Sequence, residues 1–116
     1  MKNLVMNLMV MACALSTSAC YQSAAKTEIN KILYDKKAAR WGAIRSAEFY
    51  ETATGKNLKG SCGHVNSKNR YGAYTGPTAF IYTVKSNGEK VILFYDGTDD
   101  AQFTRIWYES CHGMKI

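Results

Sequence analysis

The sequence predicts an α+β fold: an antiparallel sheet of about four strands, a short N-terminal helix, and a C-terminal helix packed on one face, with one disulfide. Three observations carry this. Runs rich in β-branched and aromatic residues alternate with turn chemistry between positions 44 and 95. Phe103, Ile106, Trp107, Ser110 and Cys111 then recur at i, i+3, i+4, i+7 and i+8, which makes one helical stripe. Cys62 and Cys111 place one thiol on a predicted strand and one at the end of that stripe.

The N-terminus comes first. Met1-Lys2-Asn3 is short and basic, positions 4–15 are apolar apart from Asn7, and positions 16–19 are small. That is the n-, h- and c-region order of a secretory signal. The apolar run is about 12 residues, where a bilayer span needs about 20. Ser16-Thr17-Ser18-Ala19-Cys20 is similar to a permissive bacterial lipobox, with Thr17 where leucine is favoured. Acylation of Cys20 is therefore expected, with plain cleavage after Ala19 or Ala25 as the rival. The expected organisation is a signal over 1–19, a tether over 20–25 and one globular domain over 26–116.

Within the domain, Ile29, Ile32 and Leu33 share a face and predict a helix over 26–35, with a turn or second helical piece over 36–41 stopped by Gly42. A first strand is expected over 44–52, with Ala43, Arg45, Ala47 and Phe49 on one side. Thr54-Gly55-Lys56-Asn57 is a turn. A second strand covers 58–66, and its Gly60 and Gly63 point to a bulge or a close backbone approach. A third covers 78–85. Asn87-Gly88 suits a type I′ hairpin turn. The fourth, over 90–95, is rich in Val, Ile, Leu and Phe and reads as a central or well-covered strand. Thr98 or Asp99 caps the last helix, whose positive end suits Asp96, Asp99 and Asp100. His112 and Gly113 end it.

Cys13 belongs to the signal, and Cys20 is acylated or lost with it. Cys62 and Cys111 are then two thiols in an oxidising compartment, and one disulfide follows. It closes a loop of about 50 residues, worth roughly 4 kcal/mol in the chain-entropy picture. A Cys62–His64 nucleophilic pair is the sharper alternative. Neither cysteine–histidine spacing matches a zinc knuckle, so no metal is expected.

The formal charge is +6 over 116 residues. Outside the cytoplasm such a balance implies attraction to anionic lipid, an anionic envelope polymer or an acidic envelope protein rather than to nucleic acid. No serine sits in a nucleophile elbow and no glycine-rich phosphate loop precedes a helix. The acids at 96–100 are explained by the helix start. No enzyme and no cofactor are expected.

The stretch Cys62-Gly63-His64-Val65-Asn66-Ser67-Lys68-Asn69-Arg70-Tyr71-Gly72-Ala73-Tyr74-Thr75-Gly76 is the most distinctive in the chain. It resembles a C-G-x-V-N-x-K-N-x-x-G-x-Y-x-G motif found in small, mostly uncharacterised exported proteins and lipoproteins of bacteria and phages. Their upstream D-P-x-S-A-x-F-like piece corresponds to Asp35-Lys36-Lys37-Ala38-Ala39-Arg40-Trp41, with Lys36 in place of the proline. Ala73 stands where glycine is common. The tail with Phe103, Trp107 and Cys111 is similar as well. The resemblance implies export, an outer-membrane destination and, by analogy, a lipoprotein that contacts or inhibits another envelope component.

Read from the residues, the same loop is a candidate binding cradle. Asn66 and Asn69 offer donors and acceptors, Lys68 and Arg70 offer charge, and Tyr71 and Tyr74 offer flat amphipathic area. Asparagines in such loops also serve as pure scaffold, bonding backbone amides. His64 alternates with Val65 and so faces the opposite side, as an exposed residue. The expected function is a non-catalytic envelope binding module, with a structural accessory subunit of a secretion or surface assembly, or a small periplasmic hydrolase using His64 and the acids at 96–100, as alternatives.

Overall fold

In the computed structural model, residues 17–95, 97 and 101–116 are described. The apolar run with Cys13, the side chain of Cys20, and the expected cap and acids Asp96, Thr98, Asp99 and Asp100 lie outside them. The elements are α1 (Thr17–Asn30), β1 (Arg40–Glu51), β2 (Lys56–Asn66), β3 (Thr78–Val84), β4 (Lys90–Phe94) and α2 (Ala101–Ser110). The four strands form one antiparallel sheet in the order β1-β2-β3-β4, so each strand pairs with its sequence neighbour. The α+β expectation holds.

The two helices cover opposite faces. On one, α2 packs Phe103 and Trp107 against Phe49, Cys62 and Ile81. On the other, Ala25 and Ile29 of α1 pack against Val65, Phe80 and Tyr82. β3 holds the centre because both faces need it: Ala79 to Thr83 are five consecutive buried residues. A disulfide joins Cys62 to Cys111, whose Cα atoms are 5.8 Å apart. It ties the end of α2 to the second strand.

α1 differs from expectation at both ends. It starts at Thr17 and stops at Asn30, where Ile32 N bonds back to Ile29 O at 3.0 Å. Its seam is Ala25 and Ile29, at i and i+4, while Ile32 is 59% exposed. Positions 20–25, expected as a tether, are helical, and Ala25 is fully buried. The small residues Ala24 and Ala25 let the helix lie close on the sheet.

β1 starts at Arg40, ahead of the expected position, and Gly42 does not stop anything. The register slips between Trp41 and Ile44, which leaves one extra residue on β1. Such a bulge inverts the in–out alternation. Trp41 and Ile44 therefore join the α1 face, with Trp41 edge-on to Phe80 at 6.0 Å, while Ala47 and Phe49 point to α2. Gly60 and Gly63 are close approaches, as expected. A Cβ on Gly60 would lie 2.0 Å from Tyr82 O, and one on Gly63 would lie 2.8 Å from Phe80 Cζ.

Two further expectations are corrected. The β3–β4 turn is not type I′, because Gly88 has φ 90° and Asn87, like every described non-glycine residue, lacks positive φ. Lys85 N donates to Glu89 O, and Gly88 N to Lys85 O, each at 2.8 Å. That is a three-residue loop closed by a left-handed glycine, stapled by Glu89 N donating to Asn87 Oδ1. β4 is an edge strand rather than a covered one, with Leu93 37% exposed. Its apolar residues do serve both faces, but ten-residue α2 is too short to cover the end where Val91 and Leu93 point.

Candidate binding surface

The loop that follows β2 folds as a small second hairpin. Asn66 Oδ1 accepts from Gly76 N at 3.0 Å and closes its base. Ser67 O accepts from Thr75 N at 3.2 Å, and Lys68 bridges to Tyr74. Asn69 organises the tip: its backbone N donates to Ala73 O at 2.9 Å, and its Oδ1 accepts from Tyr71 N at 2.9 Å and Ala73 N at 3.2 Å. Gly72 and Gly76, with φ 80° and 92°, take the left-handed turns. Both asparagine side chains are therefore bound into the scaffold. Ala73 is accommodated without strain, since positive φ falls on Gly72 instead.

The frame holds its cations and rings in two layers. Tyr74 is half-buried and donates its hydroxyl to Ala38 O at 2.9 Å. Arg40 Cζ lies 3.9 Å from its ring centre and Lys68 Nζ lies 5.3 Å from it. Further out, Arg70 lies 5.6 Å from the ring of Tyr71, which is 82% exposed. Asp35 Oδ1 accepts from Ala38 N at 3.2 Å, and the turn it shapes carries exposed Lys36 and Lys37 beside the Tyr74 contact. The chain has no Asp or Glu between Glu51 and Glu89. Among the described residues, ion pairs engage Lys31, Lys85 and Lys90, and none engages Lys36, Lys37, Arg40, Lys68 or Arg70.

Lys68, Arg70, Tyr71 and Tyr74 are thus brought together as the sequence suggested. His64 is not part of their face. It is half-buried on the α2 side, edge-on to Trp107 at 5.5 Å, with Nε2 3.3 Å from Ile116 O. It is a packed residue rather than a free surface histidine. Cys62, fully buried in the disulfide, has no thiolate to offer it. Sequence reasoning missed Arg40, which the pairing of Arg40 with Asn66 carries to the loop across 34 positions of chain from Tyr74. The only sequence signal was a cation flanking the strand start.

A second concavity lies under the uncovered part of the α2 face. It encloses about 1100 Å³, with Phe49, Ile81, Val91 and Leu93 as floor and Glu51, Lys85, Arg105 and Glu109 on its rim. Glu51 is held below its ordinary carboxyl value, first by the hydroxyl of Ser86, which donates to it at 2.7 Å, and then by that of Thr54. Among the described residues, no three His, Cys, Asp or Glu side chains come together as a metal ligand set. No described helix is long and apolar enough to cross a membrane.

No family model, curated protein or solved structure matches the chain.

Proposed function

We propose that the protein is a non-catalytic binding module of the bacterial cell envelope, exported, acylated at Cys20, and contacting or inhibiting another envelope component through the loop over 66–76. The observation that carries this reading is the loop tip. Arg70 and Tyr71 stand in solvent on a frame that Asn66 and Asn69 have already ordered. A preordered loop loses little conformational entropy on binding, and an exposed tyrosine beside a guanidinium offers both area and charge. The absence of Asp and Glu from positions 52–88, with five cations gathered at the loop, favours an anionic partner. The buried disulfide agrees with an oxidising compartment. The resemblance to exported proteins with the same loop motif points the same way.

A photoreactive amino acid at position 71, activated in intact cells, tests the reading. It should form adducts with an envelope component, and their identity separates an inhibitor from an assembly subunit. Adducts to cytoplasmic proteins only, or the absence of any adduct from a folded and exported chain, would refute it. Acylation is read separately, from the mass of the envelope form and from its sensitivity to globomycin.

A further inference from the structure

We infer that the component this face meets is the phosphate layer of an anionic bilayer, the same membrane that holds the N-terminus; the inference rests on the loop being the contact face. The direction of α1 carries it. Gln22, Ser23 and Lys26, in the middle turns, share one shallow pocket with Gly42 and Ile44 of β1. Gly42 lies two residues from Arg40, whose register partner Asn66 opens the cationic loop. Further along α1, Glu28 accepts from Lys90 Nζ at 2.8 Å, and Lys90 sits at the β3–β4 hairpin end of the sheet. The helix therefore runs from the loop end toward the hairpin end. Its N-terminus and the cations emerge together.

No flexible linker intervenes. Ala25 is already fully buried, and a helix rises about 1.5 Å per residue, so roughly 7 Å of rigid backbone separates residue 20 from the packed domain. An attachment at residue 20 holds Lys26, Lys36, Lys37, Arg40, Lys68 and Arg70 at the membrane. That is within the ~10 Å over which salt leaves charges in contact. Asp35, a described carboxylate at that end, is turned onto Ala38 N at 3.2 Å. Guanidinium groups suit phosphate oxygens, and an exposed tyrosine suits the headgroup boundary. Arg40 and Lys68, two like charges gathered on one ring, gain a counter-charge there that no ion pair among the described residues supplies.

Hydrogen–deuterium exchange on the full-length chain as cells produce it, reconstituted into phosphatidylcholine vesicles with or without phosphatidylglycerol, tests the inference. Exchange at the amides of Arg70 to Ala73 should slow only in the anionic vesicles, and salt should reverse the effect. Each cation removed should lower the docked-to-free ratio about fivefold, so K68Q/R70Q should lower it about 25-fold. An unchanged melting temperature shows that the variant is folded. Equal exchange in both vesicle types overturns the bilayer as ligand. If the position-71 crosslinker then still captures an acidic envelope protein, the loop remains the contact face with a protein partner. If it captures nothing, both readings fall.

Discussion

Breaking the disulfide should remove a large share of the domain's stability, and the structure sets the size of the effect. Cys62 and Cys111 are 49 positions apart, and the loop between them includes the last four residues of β2, the cationic hairpin, β3, β4 and α2. Cross-linking a loop of that length lowers the entropy of the unfolded chain by the equivalent of about 4 kcal/mol. A domain of this size has only about 5–15 kcal/mol in total. Both residues are buried, so the bond also fixes the C-terminal end of α2 on the sheet beside Trp107. Without it, α2 still has the packing of Phe103 and Trp107 and the bond from Trp107 Nε1 to Met114 O at 2.7 Å, but no covalent tie. Urea unfolding of the chain with and without reductant, followed by tryptophan fluorescence, measures the difference. Reduction should lower the unfolding free energy by about 4 kcal/mol, and amide exchange should accelerate first over α2. Oxidised and reduced forms within about 1 kcal/mol of each other would show that the sheet and helix hold together without the bond, and would refute the loop-entropy argument.

The two loop tyrosines should separate cleanly. Tyr74→Phe loses the bond to Ala38 O and should cost about 1 kcal/mol in chemical denaturation, while Tyr71→Ala should leave stability unchanged and weaken partner capture. Gly60→Ala places a Cβ against Tyr82 O in the centre of the sheet and should cost about 3 kcal/mol or prevent folding, read by circular dichroism and unfolding. Thermal stability should also depend on pH at both extremes. Glu28 is held below the ordinary 4.5, first by Lys90 and then by Lys31, and Glu51 is held below it by Ser86 and Thr54. Their contribution is fully present above 4.5 and is lost as pH falls through the depressed values of the folded state. Lys90 is raised above 10.5 by Glu28, so its contribution is present below 10.5 and is lost as pH rises through the raised value. E28Q should flatten the alkaline limb in a melting series and reduce the acid limb to the part that Glu51 carries; an unchanged alkaline limb in that variant would refute the assignment.

Local signals made the sheet legible. The strand segments, the glycine close approaches, the helical stripe of α2 and the pairing of Cys62 with Cys111 all follow from period, turn residues and a count of thiols. The loop was legible as a candidate because its composition departs from that of a strand. Whether its asparagines were ligand groups or scaffold was not, because either use needs the same residue type. Only the bonds from Gly76, Tyr71 and Ala73 decide for scaffold. Layer assignment was also out of reach. An apolar run such as 91–94 reads the same in a covered strand and in an edge strand with apolar residues on both faces. The length of α2 and the strand order make it an edge.

What the sequence determined by itself was each element's type and the cross-link that closes the domain, since both depend on near neighbours and on which cysteines remain. What the tertiary structure decided was which residues meet across distance. The one-residue bulge after Trp41 turns that ring to the α1 face. The β1–β2 register brings Arg40 to Tyr74. The seam of Ala25 and Ile29 sets α1 on the sheet with Gln22, Ser23 and Lys26 beside the start of β1. The physical reason is that side-chain period is local, whereas register and layer are settled by the packing of both faces at once.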